Sequence, residues 1–183
     1  MKVLDFGCGT GSNSKLFNPE DYIGSEVDSS RVESSGKKYP KYKFEKIPII
    51  NSSEDKLPWA DNSFDMIFVS LCLHHINAKS CKLIFKEFRR VLKSNGKILG
   101  IEPALIDGKY FSNVLMNILD AGDYILPLNK YKDMYKSESF TTTHINVVKT
   151  FGYNLWQYSS VATNEEPTKF ENGKTQIRKF TKP

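Results

Sequence analysis

Residues 3–12 read Val3-Leu4-Asp5-Phe6-Gly7-Cys8-Gly9-Thr10-Gly11-Ser12, and this stretch decides the fold. An apolar strand runs into three glycines at alternating positions, and a short helix is expected over residues 12–17 before Asn18-Pro19. Glycines there let the backbone turn tightly and let a ligand approach peptide atoms closely. The helix that follows offers unpaired N–H groups. The spacing is G-x-G-x-G, whereas a dinucleotide-binding loop reads G-x-G-x-x-G. Asp5, two residues before the first glycine, suits a ligand carrying positive charge and poorly suits a pyrophosphate.

Outward from the loop, strand alternates with helix, which argues a mostly parallel sheet covered on both faces. Residues 22–27 read as a second strand that ends at Glu26. A carboxylate there sits beside the glycine loop where the strand order reverses, and its oxygens can accept from both hydroxyls of a ribose. Asp28 or Ser29 is the cap of a helix over 29–39, stopped at Pro40. Residues 42–50 are strand only in part, because of Pro48, and 51–62 form a polar loop. Residues 64–71 are the best buried strand. Apolar residues at 81, 84, 85, 88, 91 and 92 give a helical face over 78–92, and a turn at Ser94-Asn95-Gly96 leads to a strand over 97–101.

The pattern then changes. Residues 111–119 are expected to be helical and 120–132 irregular, so that 103–137 reads as a substrate-side insertion. Residues 139–151 read as a helix stopped by Gly152. Residues 153–161 and 175–180 read as two further strands forming an antiparallel pair at the sheet edge.

Composition excludes several classes. With 183 residues, 39% hydrophobic and 26% charged, the chain is a globular single domain. Its longest apolar stretches, such as residues 68–73, fall far short of the roughly 20 residues of a membrane span. No signal peptide is read at the start, and three cysteines with no CxxC pair argue against a disulfide framework or a metal site, so a cytoplasmic location is expected. The net charge of +5 keeps nucleic acid open. It is not favoured, because the cations are mostly scattered lysines, with arginine only at Arg31, Arg89, Arg90 and Arg178.

Four stretches in order carry a resemblance. Residues 3–11 resemble the first motif of class I S-adenosylmethionine-dependent methyltransferases, of the methyltransferase type 11 kind. Leu57-Pro58-Trp59-Ala60-Asp61-Asn62-Ser63-Phe64-Asp65-Met66-Ile67-Phe68-Val69-Ser70 is similar to the family's fourth-strand region, as is Leu71-Cys72-Leu73-His74-His75-Ile76 after it. Phe88-Arg89-Arg90-Val91-Leu92-Lys93-Ser94-Asn95-Gly96-Lys97-Ile98-Leu99 resembles its helix, turn and fifth strand. The resemblance implies an α/β fold, a Rossmann-like doubly wound seven-stranded sheet, mostly parallel with an antiparallel last strand. It implies S-adenosyl-L-methionine as cofactor and methyl transfer as the activity. The loop (Asp5, Gly7, Cys8, Gly9, Gly11) then holds the methionine part, and Glu26 with Val27 the ribose side. Ser52, Ser53 or Glu54 falls in the adenine loop at the position where the family usually places an acid, and Ser70 and Leu71 close the cofactor site. Members usually carry helices before the first strand that cover the cofactor. Here such a lid is expected from residues 103–137 or a second subunit, or the chain is an incomplete version.

Methyl transfer from a sulfonium is an in-line displacement, so the protein mainly orients and excludes water, worth roughly 7–11 kcal/mol. A general base matters only where the acceptor loses a proton. His75, His74 and Glu102, after the fourth and fifth strands, are the candidates. Cys72 lies in an apolar stretch with no basic neighbour before His74, and no Asn/Asp-Pro-Pro-aromatic motif is present; it reads as an inert thiol. The acceptor expected is therefore a small or sugar-like molecule, methylated on oxygen, nitrogen or carbon. An RNA methyltransferase and a non-catalytic partner subunit are the alternatives, and a homodimer stays open.

Overall fold

The computed structural model describes residues 1–120, 122, 124–150 and 153–163. Seven strands, β1 (Val3–Phe6), β2 (Tyr22–Glu26), β3 (Lys43–Lys46), β4 (Phe64–Ser70), β5 (Leu92–Pro103), β6 (Phe140–Thr150) and β7 (Tyr153–Ala162), form one sheet in the order β3-β2-β1-β4-β5-β7-β6. β1 pairs in parallel with both β2 and β4, and the chain winds outward from there in both directions. The carboxyl ends of β1 and β4 therefore diverge into loops at a reversal of strand order, the place where such sheets bind ligands. β7 is antiparallel to both its neighbours.

The central strands are largely buried and carry apolar side chains on both faces, as a doubly covered sheet requires, with Asp5 and Glu26 as buried exceptions. Helix α1 (Ser29–Lys38) is capped by Asp28, whose side chain accepts from the N–H groups of Ser30 and Arg31. Helix α2 (Ala78–Val91) is capped by Asn77 and turns Cys81, Ile84, Phe85, Phe88 and Val91 inward. Phe88 meets Phe6 edge to face at 4.9 Å, which seats α2 over the strand that leads into the glycine loop.

Helices α3 (Tyr110–Leu119) and α4 (Leu128–Ser137) lie between β5 and β6. The segment 103–137 thus carries the crossover itself. α4 buries Tyr131, Met134 and Tyr135 in the main core, where Tyr135 stacks on Phe85 at 4.2 Å and its hydroxyl lies 2.7 Å from that of Tyr158. α4 starts inside the stretch expected to be irregular; Pro127 at its N-cap position and the 3.6-residue spacing of its apolar side chains account for it. α3 is held by Asn154, fully buried, whose amide donates to Ser112 Oγ at 2.8 Å.

The short helix expected after the glycine loop is a 3-10 helix (Ser12–Leu16), with Gly11 left-handed at its start. Two further expectations change. Residues 139–151 do not form a helix: 140–150 are strand β6, because β-branched Thr141, Thr142, Thr143, Val147 and Val148 lose side-chain freedom in a helix and pack well on a pleated sheet. β5 starts earlier, at Leu92, and accommodates Ser94-Asn95-Gly96 as an irregularity in its register with β4. The strand expected over 175–180 and Gly152 lie outside the described residues.

Candidate functional site

Gly7, Gly9 and Gly11 all have positive φ, at 69°, 55° and 72°. Their reasons for being glycine differ. A Cβ on Gly7 would lie 2.2 Å from the Cys72 sulfur, and one on Gly11 2.7 Å from the Phe44 ring. A Cβ on Gly9 would meet nothing within 4 Å. Gly7 and Gly11 seat the loop against its neighbours, and Gly9 turns its bare backbone toward open space.

Glu26, 7% exposed, reaches across to this loop. Its Oε2 accepts from the Gly9 N–H at 3.1 Å, and its Oε1 accepts from Val27 N–H at 2.8 Å and Asp28 N–H at 3.3 Å. A carboxylate has about four acceptor positions, and with three N–H groups bound here one remains, on Oε2, for a hydroxyl. Arg31 Nη1 stands 3.9 Å from Oε2.

Asp5 lies beneath the loop, 1% exposed. One oxygen accepts from the Tyr22 hydroxyl at 2.7 Å; the other, Oδ1, is buried with no hydrogen-bond partner among the described residues. Burial pushes the carboxyl up to about 6, with the Tyr22 bond opposing. A carboxylate with an orphan oxygen costs stability and is expected only where a site needs it. Burial, together with the charges of Asp5 and Glu26, also pushes the Cys8 thiol up, which leaves it an unreactive packing residue. The Cys72 thiol is raised likewise.

The other expected cofactor residues lie at the end of β4 and in the segments that follow β2, β3 and β4. Val27 and Leu71 are 43% and 49% exposed apolar residues following β2 and β4. Leu71 is left-handed at φ 51°, held by its N–H to Ile101 O at 2.9 Å. Ser70 is half-buried, and Ser53 and Glu54 are exposed in a turn that Asp55 ties by accepting from Asn51 and Ser52 N–H. Ile49 is a further exposed apolar residue after β3, at 67%, in the stretch Ile47-Pro48-Ile49-Ile50, which carries no periodic signal.

The catalytic candidates separate. His75 is exposed, and desolvation next to His74 lowers its basicity. His74 is 5% exposed and Glu102 wholly buried. Glu102 Oε1 accepts from Cys72 and Leu73 N–H at 2.7 and 3.0 Å, and Oε2 lies 3.0 Å from His74 Nδ1.

The residues present fit an adenosyl sulfonium: an open glycine, a ribose acceptor fixed to it, an orphan carboxylate oxygen and apolar surface around the edge. Among the described residues no group of three or more His, Cys, Asp and Glu is placed to hold a metal ion, and no helix is long and apolar enough to cross a membrane.

Comparison with known proteins gives the family and the fold. The methyltransferase domain family matches residues 4–100, just over half of the chain. The chain is 26% identical over 178 residues to a sterol 24-C-methyltransferase of Gibberella zeae, covering 92% of this chain and 43% of that protein. It is 28% identical over 102 residues to the malonyl-[acyl-carrier protein] O-methyltransferase of Legionella pneumophila, covering 54% of this chain and 34% of that one. The chain thus spans less than half the length of these curated relatives. Among solved structures, a SAM-dependent methyltransferase of Methanosarcina mazei superposes with a TM-score of 0.72 at 16% identity, covering 90% of this chain and 93% of that one. The YcgJ protein of Bacillus subtilis gives 0.71 at 16% identity, covering 90% and 92%.

Proposed function

We propose, from the premise that the chain belongs to the methyltransferase domain family, that it transfers a methyl group from S-adenosyl-L-methionine to a small-molecule acceptor. The observation that carries this is the Gly9–Glu26 contact at 3.1 Å, which joins the open loop to the ribose acceptor at the reversal of strand order. The cofactor, when bound, supplies an activated methyl and its own leaving group.

The chain's residues then have simple tasks. Glu26 accepts from a ribose hydroxyl at the position left free on Oε2 and fixes the sugar relative to Gly9. Asp5 places negative charge under the loop, opposite a cationic ligand. Val27, Ile49 and Leu71 present apolar surface that excludes water from the edge. Of the three catalytic candidates only His75 reaches solvent, and its lowered basicity favours the neutral ring, the form that takes a proton from an acceptor. His74 and Glu102 hold the loop that carries His75. Relatives named for malonyl-[acyl-carrier protein], sterol and ubiquinone or menaquinone methylation act on O and C acceptors, and this supports a carried or free small molecule over RNA.

Isothermal titration with S-adenosyl-L-homocysteine tests the reading. Binding at micromolar level is expected, weakened roughly 10- to 100-fold in Glu26→Gln, which keeps shape but halves the acceptor capacity. No binding by the wild-type chain overturns it.

A further inference from the structure

Asp120 closes the C-terminal end of α3, 46 residues from the loop after β4, yet its Oδ1 stands 3.6 Å from His74 Nε2, at ion-pair distance. The other ring nitrogen of His74 faces Glu102 at 3.0 Å. The imidazole is thus clamped between two carboxylates, one on β5 and one on α3. Further contacts fasten the same spot. The Tyr124 N–H donates to His74 O at 3.0 Å. Gly122 lies so close that a Cβ there would be 2.1 Å from the His74 ring. Asp120 is itself braced, accepting from Gly122 N–H at 2.6 Å, with the Tyr153 phenol of β7 near enough for the two to interact.

Through Glu102, this clamp reaches the cofactor loop. The carboxylate that faces His74 also accepts from Cys72 and Leu73 N–H, and the Cys72 sulfur packs on Gly7. We propose that Asp120 is a positioning residue: acting through His74 and Glu102, it latches α3 onto the loop after β4 and so holds that loop, with exposed His75, against the glycine loop. The proposal rests on the cofactor reading above only for its binding arm. A mere surface ion pair would contribute little. This one is mostly buried, 6% exposed on His74 and 10% on Asp120, and its carboxylates also accept from the backbone N–H groups of Cys72, Leu73 and Gly122.

The test is a double-mutant cycle with two readouts. Asp120→Asn and His74→Gln are each expected to weaken S-adenosyl-L-homocysteine binding about tenfold, and the double variant no more than the stronger single one. Hydrogen exchange at the Cys72 and Leu73 amides is expected to quicken at least tenfold in Asp120→Asn, and Asp120→Glu to restore part of it. Additive losses in the cycle, or unchanged exchange at those amides in Asp120→Asn with its melting temperature kept, overturn the latch. Exchange needs no ligand, so a wild-type chain that fails to bind overturns the cofactor reading while the latch is still decided.

Discussion

Gly7 and Gly9 share a positive φ and little else. At Gly7, alanine would drive a methyl to 2.2 Å from the Cys72 sulfur and add left-handed strain. Gly7→Ala is therefore expected to lose several kcal/mol of stability, about 1–2 from the backbone and the rest from overpacking. At Gly9 only the strain of about 1–2 kcal/mol applies, because the space beyond is open. Thermal melts beside homocysteine-product titrations separate the two: Gly9→Ala is expected to stay folded and lose cofactor binding, Gly7→Ala to melt early. Asp5 is the other residue with a sharp expectation. Its carboxyl titrates near 6 when folded against an ordinary 3.8, so folding favours the neutral form more than the unfolded chain does, although at neutral pH the group carries its negative charge. The stability it contributes is full below about pH 3.8 and lost as pH rises through about 6, a change on the order of 3 kcal/mol. Asp5→Asn is expected to flatten that part of the stability–pH curve in urea unfolding, while weakening cofactor binding. A slope left unchanged would remove Asp5 as its source.

At the scale of elements, the loop between β3 and β4 depends on one arginine of α2. Arg90 donates to Leu57 O at 3.0 Å, Trp59 O at 2.7 Å and Asp61 at 2.9 Å, and pairs with Glu87, which in turn accepts from Leu57 N–H. Arg90→Met would leave buried Glu87 and two carbonyls without their donor, so a loss of about 3–5 kcal/mol is expected in chemical denaturation. Hydrogen exchange should localise it to residues 57–62. Sequence made the elements before this point legible because each carries its own signal: an apolar run into glycines, a capped helix, a helical apolar face. Residues 139–151 misled because Gly152 looked like a helix stop, while the decisive signal was the run of β-branched threonines at 141–143. Glu26 could be placed because it ends the second strand beside the glycine loop, where the strand order reverses. The clamp of Asp120 on His74 could not, because it joins segments whose approach is set only by how α3 packs on β7. Glu102 was found as a residue of interest, but only its complete burial and its three N–H or imidazole partners show that it holds a loop.

For the whole molecule, the site is assembled from the ends of β1, β2, β4 and β5, brought together by parallel pairing. A ligand that binds only this assembled edge stabilises the entire fold by mass action. S-adenosyl-L-homocysteine at 100 times its dissociation constant should add about 2.7 kcal/mol. For a chain of this length that is a rise of roughly 5–10 °C in melting temperature. Differential scanning with and without ligand checks it, and no rise at saturation would mean that binding is not coupled to the folded edge.

The touch between Cys72 and Gly7 has a consequence for anyone redesigning this protein. Two positions 65 residues apart in sequence share one small volume, so their sizes trade against each other. A bulkier side chain at 72 would wedge the first turn of the loop outward, and only alanine, serine or glycine leaves it undisturbed. Libraries that vary the two stretches separately will discard solutions that exist only when both are changed together.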